Sequence, residues 1–87
     1  MHEFSLINDL IRKIESIARE QGAQRVVALK VKLGALSHIS ADHFREHFEA
    51  GARSTIAEGA RLGIETLTDE YDPHSQDILL DSVELEG

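Results

Sequence analysis

The chain contains no cysteine, no tryptophan and a single proline among its 87 residues. Without cysteine, neither a disulfide nor a thiolate metal site can stabilise the fold. No apolar run approaches the roughly 20 residues that a membrane-spanning helix requires, and no secretory signal is recognisable. We therefore expect one cytoplasmic globular domain over residues 1–87, with no membrane association.

Basic residues are also scarce, with nine lysines and arginines against sixteen aspartates and glutamates, for a net charge of -7. No lysine or arginine follows Arg61, whereas acidic residues continue to Glu86. Because a nucleic-acid-binding protein usually needs a basic surface, this balance argues against nucleic acid as a partner. The acidic last third is typical of a solubilising surface, or of one that attracts cations or a basic partner.

Apolar residues recur at helical spacing early in the chain, which predicts a first helix from about residue 5 to residue 21. Ser5 is expected to cap this helix, and Gly22 is expected to end it in a left-handed turn. A short strand at residues 2–4 is a possible addition before it.

A second helix is predicted after Ser40, a capping residue, with Asp42 near the positive end of the helix dipole. Gly59 is its expected end. Its buried stripe is expected to comprise Phe44, Phe48, Ala52 and Ile56.

Alternating apolar and polar residues predict strands at residues 25–33, 61–67 and 78–85, with a polar loop at 68–77 before the last of them. The residues expected to face the core are Val27, Leu29, Val31 and Leu33 in the first strand, and Leu79, Val83 and Leu85 in the last. This order of elements favours a small two-layer α/β (α+β) domain, in which two helices cover a mixed sheet of three or four strands.

The first three residues, Met1, His2 and Glu3, can form a chelating unit. The α-amino group, the backbone amide of His2 and its imidazole can close small rings around one ion, and such nitrogen-rich coordination suits Ni(II) and Cu(II). Glu3 can add a carboxylate oxygen or hydrogen-bond the imidazole. A solvated terminal histidine is the alternative interpretation of the tripeptide alone.

Four other histidines are candidate ligands. His43 and His47 are four residues apart in the second predicted helix, a spacing that can bind a metal ion, and His38 precedes that helix. His74 lies alone in the polar loop, which we expect to be mobile unless His74 finds a partner. A solvated helix face is the alternative for His43 and His47, because no third ligand is evident.

No catalytic constellation is visible. The sequence offers no activated serine or cysteine, no glycine-rich phosphate loop and no evident pair of carboxylates on a shared face. We therefore expect a protein that is not an enzyme.

The opening "MHEFSLINDLIRKIESIAREQGAQRV", together with "VKLGALSHIS", resembles the HypA/HybF family of hydrogenase and urease nickel-insertion proteins. In that family the chain starts Met-His-Glu, runs into an amphipathic helix and has a strand ending in a Gly-x-Leu-Ser-like turn. The corresponding residues of the turn here are Gly34, Leu36 and Ser37. The stretch "FEAGARSTIAEGARLGIE" and the final "DSVELEG" are similar to later elements of the family.

This resemblance implies a nickel-binding metallochaperone in which Met1 and His2 supply Ni(II) ligands, with Glu3 as a ligand or supporting residue. It also implies two partners, a nickel-delivering GTPase and the enzyme that receives nickel, either the large subunit of a nickel-iron hydrogenase or a urease complex. The family fold, a mixed sheet with two helices, agrees with the pattern of elements above.

The sequence also departs from the family. Members carry a zinc domain built on two Cys-x-x-Cys pairs before the closing strand, whereas here "DPHS" stands at the second pair, with Asp72 and Ser75 at ligand positions. We therefore expect no zinc and an insertion reduced to loop 68–77. Ser40 stands where many relatives have an acidic residue that can approach nickel. A regulatory paralogue that keeps only the docking surface, without metal, is the alternative function.

Overall fold

The computed structural model describes the backbone of residues 2–87 and the side chains of residues 5–87. Its elements follow in the order α1 (His2–Glu20), β1 (Arg25–Leu33), α2 (Ala41–Ala52), β2 (Arg61–Thr66) and β3 (Ile78–Glu86). The strands form one sheet in the order β2-β1-β3, so the predicted two-layer α+β fold is confirmed. None of the helices in residues 2–87 combines the length and the apolar composition that crossing a bilayer requires.

Helix α1 begins at His2, so the possible strand at residues 2–4 is wrong and Ser5 lies inside the helix instead of capping it. A helix satisfies backbone hydrogen bonds within its own segment, whereas a three-residue strand needs a neighbouring strand to pair with. The core-facing side chains of α1, each at most 6% exposed, are Ile7, Leu10, Ile11, Ile14 and Ala18.

The end of α1 is the left-handed turn predicted at Gly22, whose φ is 68°. The backbone N–H of Ala23 donates to the carbonyl of Ala18 at 2.9 Å, and that of Gly22 donates to the carbonyl of Arg19 at 3.1 Å. These bonds satisfy carbonyls that the end of a helix otherwise leaves unpaired. Glycine suits this position because it adopts positive φ without steric cost.

A β-bulge changes the alternation near the start of β1. The pairing with β3 is irregular between Val26 and Ala28, and Val26 is the buried residue, at 1% exposure. The prediction that Val27 faces the core is therefore wrong, because a bulge reverses the side to which the residues before it point. Further along β1 the prediction is confirmed for Leu29, Val31 and Leu33.

A second bulge lies in β3 at Asp81. Its neighbours Leu80 and Ser82 pair with adjacent residues of β1, so Asp81 is the extra residue. The bulge directs Leu80 toward the core in place of Leu79, and the prediction for Leu79 is wrong for this reason. The residues of β3 that pack on the core are Ile78, Leu80, Val83 and Leu85.

Helix α2 starts as predicted. Ser40 has an extended backbone, with φ of -77° and ψ of 158°, and its hydroxyl accepts a hydrogen bond from the backbone N–H of His43 at 3.1 Å. This bond satisfies one of the N–H groups that have no acceptor within the helix. Asp42 lies in the first turn, where a negative charge interacts favourably with the helix dipole.

The end of α2 comes at Ala52, well before the predicted end at Gly59. Ser54 has a left-handed φ of 66°, and the Thr55 hydroxyl donates to the carbonyl of Ala52 at 2.6 Å. A side chain that bonds to the backbone in this way competes with the next helical turn. Ile56 still packs on the core, but from the turn that follows the helix.

The core lies between the helices and one face of the sheet. Strand β1 pairs in parallel with β2, to which it is connected through α2, and antiparallel with β3. The buried side chains of α1, α2 and β1 belong to one continuous cluster. The helices approach closely at Gly51, because a Cβ built there lies 2.9 Å from Cδ1 of Ile11.

The other face of the sheet is polar and carries ion pairs between strands. Lys30 of β1 lies 3.6 Å from Glu65 of β2, and Lys32 lies 3.6 Å from Asp81 of β3. These side chains are more than a third exposed, so each pair contributes at most about 1 kcal/mol. Their main effect is to favour the observed strand register.

Loop 68–77 is attached to the turn that follows β1. The backbone N–H of Leu36 donates to the carbonyl of Ser75 at 2.6 Å, and that of Gly34 donates to the carbonyl of Asp77 at 2.9 Å. A Cβ at Gly34 would overlap the backbone of Ser75, which is itself buried. The loop therefore packs on Gly34 at van der Waals contact.

This contact predicts that Gly34→Ala lowers the free energy of unfolding by about 1–3 kcal/mol, because the added methyl group displaces the backbone of Ser75. Urea denaturation measures the change. Gly63→Ala is the matched control, since a Cβ there meets nothing closer than Cγ of Lys30 at 3.7 Å, and a change within about 0.5 kcal/mol is expected. Equal effects of the two substitutions would contradict the close approach.

The cap at Ser40 predicts that Ser40→Ala lowers the free energy of unfolding by about 1 kcal/mol, because the N–H of His43 loses its acceptor. Ser40→Asp retains a capping oxygen and is expected to match the original protein. If Ser40→Asp destabilises the protein as much as Ser40→Ala, the hydrogen bond is not the source of the stability.

Candidate metal centre

The predicted ligands Met1, His2 and Glu3 lie outside the described side chains. The structure gives only the backbone of His2 and Glu3, which forms the start of α1. The nickel site predicted there stays a prediction.

Among the described side chains, His43, Glu46 and His47 of α2 form a group that could hold a metal ion. One potential ligand atom from each of the three, an imidazole nitrogen or a carboxylate oxygen, lies within 4.8 Å of the other two. The rings of His43 and His47 are 4.4 Å apart between centroids, with an angle of 39° between their planes. The predicted proximity of the two histidines is therefore confirmed.

Glu46 is the residue that the sequence interpretation missed. It follows His43 by three residues and directly precedes His47, so a helix brings all three side chains to one face. The signal was present as the spacing H-x-x-E-H, in "HFREH". This spacing supplies the third ligand that appeared to be lacking.

The orientation of this face is set by Phe44 and Phe48, the residues that directly follow the two histidines. Both rings are buried, at 0% and 2% exposure, and they stack at 6.1 Å between centroids. Because successive residues of a helix are about 100° apart around its axis, burial of the phenylalanines holds His43 and His47 at the edge of the core. His43 is exposed and His47 is partly buried.

The charges on α2 favour a cation at this group. Arg45 is directed elsewhere, since its guanidinium donates to the carbonyl of Leu62 in β2 at 3.1 Å. Asp42 and Glu49 add carboxylates to the same helix, and both are exposed. The local field thus has an excess of negative charge.

The other two candidate histidines lie apart from this group. His38 is exposed in the segment before α2, where its φ is 61°. The Nδ1 atom of His74 lies 2.9 Å from Oδ2 of Asp77. The loop was expected to be mobile unless His74 had a partner, and Asp77 is that partner.

Asp72 and Ser75, which the resemblance predicts at cysteine positions of the family's zinc motif, form turns within the loop. The backbone N–H of His74 donates to Oδ1 of Asp72 at 2.7 Å, and the N–H of Ser75 donates to the carbonyl of Asp72 at 2.9 Å. A side chain that bonds its own backbone two residues later is typical of a turn. These residues do not fit a structural zinc site, which is built from cysteine and histidine.

Two relatives of the chain are hydrogenase maturation factors. It is 43% identical over 70 residues to the hydrogenase maturation factor HypA of Methylocella silvestris. The aligned residues cover 80% of this chain and 62% of that protein. It is 40% identical over 62 residues to that of Pyrococcus furiosus, covering 71% of this chain and 45% of that protein. The chain thus spans less than two thirds of the length of either relative.

The fold is similar to the solution structure of the Ni metallochaperone HypA from Helicobacter pylori. The TM-score is 0.81, with 18% sequence identity over 97% of both chains. A second solution structure, of a HypA protein, gives a TM-score of 0.76 at 19% identity. At these identities the likeness concerns the fold alone.

The family model for HypA, described as a hydrogenase/urease nickel incorporation metallochaperone, matches residues 1–72. This match covers most of the chain, including α1, β1, α2 and β2. Together with the two relatives, it shows that this protein belongs to the HypA family.

Proposed function

We propose that this protein is a nickel-binding metallochaperone that acts in the maturation of nickel-iron hydrogenase or urease, with Ni(II) as its cargo. The observation that carries the proposal is the match of residues 1–72 to a family of nickel incorporation proteins. The match includes the first three residues, and we propose that Met1, His2 and Glu3 bind the nickel.

The backbone of α1 supports a chelate at these residues. The first N–H groups of a helix have no acceptor within the helix, so an amide nitrogen there can bind a metal ion without loss of a helical hydrogen bond. The α-amino group and the imidazole of His2 complete a nitrogen-rich set that suits Ni(II).

The dipole of α1 works in the opposite direction, because the N-terminus of a helix carries partial positive charge. A cation there needs compensating negative charge, which the carboxylate of Glu3 can supply. The balance of these effects suits a cargo ion, which has to be held and then released.

We propose the same partners as the resemblance implies, a nickel-delivering GTPase and either the hydrogenase large subunit or a urease complex. Leu6 supports contact with a partner near the nickel, since it lies one helical turn along α1 from His2 and is 40% exposed. A protein that hands over an ion benefits from a contact surface beside the ligands. Exposed leucine of this kind can supply apolar area to such a contact.

Isothermal titration of the untagged protein with Ni(II) tests the N-terminal site. His2→Ala, or the addition of two residues before Met1, should weaken the N-terminal binding step by more than the roughly tenfold that loss of a supporting residue costs. His74→Ala is the matched control, because His74 pairs with Asp77 in the loop, and its nickel affinity should be unchanged. Unchanged affinity in both altered forms would rule out the N-terminal chelate.

The absence of cysteine favours a second candidate function, a metal-independent regulatory paralogue that keeps the docking surface only. Capture of the GTPase or the hydrogenase subunit should then be equally strong with nickel, without nickel and with His2→Ala. The metallochaperone proposal differs in one measurable respect, since it requires His2 for nickel transfer to the partner.

A further inference from the structure

We propose that His43, Glu46 and His47 form a second metal-binding site, on the exposed side of α2, which takes one divalent ion of the nickel, cobalt, copper and zinc group. The site goes beyond the proposed function, because it uses none of the N-terminal residues. It consists of described side chains alone.

The distances between the ligand atoms are close to those of a metal site. Two metal–nitrogen or metal–oxygen bonds of about 2.1 Å at a tetrahedral angle place their ligand atoms about 3.4 Å apart. Ligand atoms at the observed upper limit of 4.8 Å therefore have to approach one another by about 1.4 Å. Rotation about side-chain bonds, which is fast for exposed residues, can provide this change without movement of the helix.

The ligand types select the class of ion. Two imidazole nitrogens and one carboxylate oxygen suit zinc, copper, nickel and related ions of intermediate softness. Magnesium and calcium prefer sets of oxygen ligands and are not expected to compete. Three protein ligands leave coordination positions for water.

The backbone beneath the site is already ordered. The Ser40 cap holds the first turn of α2, and the buried rings of Phe44 and Phe48 hold the helix against the core. The backbone therefore needs no ordering when an ion binds, which lowers the entropic cost of forming the site.

The negative charge of α2 also favours binding of a cation at these three residues. Arg45 is bound to a carbonyl of β2, whereas Asp42 and Glu49 remain exposed on α2. A divalent cation at the three ligands thus meets no competing guanidinium on its own helix.

The test separates this site from the N-terminal one. The protein with two residues added before Met1 and with His2→Ala lacks the N-terminal chelate, and it is titrated with Ni(II) and, separately, with Zn(II). One equivalent should still bind. Absence of binding in this background would overturn the proposal of an independent site. The N-terminal proposal is tested separately, by titration of the unextended protein.

In the same background, His43→Gln or His47→Gln should each weaken binding by more than about tenfold, and the double substitution should abolish it. Glutamine keeps a polar side chain of similar reach, and circular dichroism verifies that each variant is folded. His38→Gln and His74→Gln are matched controls and should bind as before. Equal affinity of the double variant and the controls would overturn the proposal.

Proton NMR of the histidine rings during the Zn(II) titration identifies the ligands directly. The carbon-bound ring protons of His43 and His47 should shift together and saturate at one equivalent, while those of His38 and His74 stay in place. A shift confined to His38 or His74 would place the ion elsewhere and contradict the proposed site.

Discussion

Packing of both helices against one apolar face of the sheet is the interaction on which the rest of the structure depends. β1 is the central strand, with backbone pairing to β2 on one side and β3 on the other. Its side chains Leu29, Val31 and Leu33 are almost completely buried, in one cluster with side chains of α1 and α2. Because this core fixes the rotation of α2 through Phe44 and Phe48, it also decides that the histidine pair lies at the surface.

The sheet topology explains how the fold closes without cysteine. β2 ends and β3 begins at the same end of β1, since Thr66 and Ile78 both pair with Leu33. The connection between them has only to cross the end of one strand, where it packs on Gly34. We propose that loop 68–77 is a reduced form of the family's zinc insertion for this reason. The strand ends are already close together, and the sheet keeps its pairing without a metal domain.

The sequence was sufficient for the order of elements and for most of their boundaries, because helical and alternating periods are long-range patterns. It was insufficient where one residue changes a pattern. The bulges at Val26–Ala28 and at Asp81 reverse side-chain direction, so Val27 and Leu79 were assigned to the core in error. The end of α2 is set by local features, the left-handed φ of Ser54 and the hydroxyl hydrogen bond from Thr55. Such local competition leaves no periodic signal.

The candidate metal sites also differ in how far the sequence alone could identify their residues. Met1, His2 and Glu3 were identified by their chemistry and by resemblance, and their side chains lie outside the described part of the structure. His43 and His47 were identified by spacing, but the third ligand was missed because Glu46 looks like one more charged residue on a solvated helix. Only the rotation of α2 about its axis, which burial of Phe44 and Phe48 sets, shows that Glu46 lies beside the two histidines. Metal sites on a helix face are thus better searched for as triplets than as pairs.

Stepwise titration of the unmodified protein with Ni(II), followed by NMR, tests the proposed cargo site most directly. The first equivalent of Ni(II) should shift or broaden the signals of His2 and Glu3, and the second should affect the rings of His43 and His47. A first equivalent that perturbs only the rings of α2, with the signals of residues 2 and 3 unchanged throughout, would contradict a cargo site at the start of the chain.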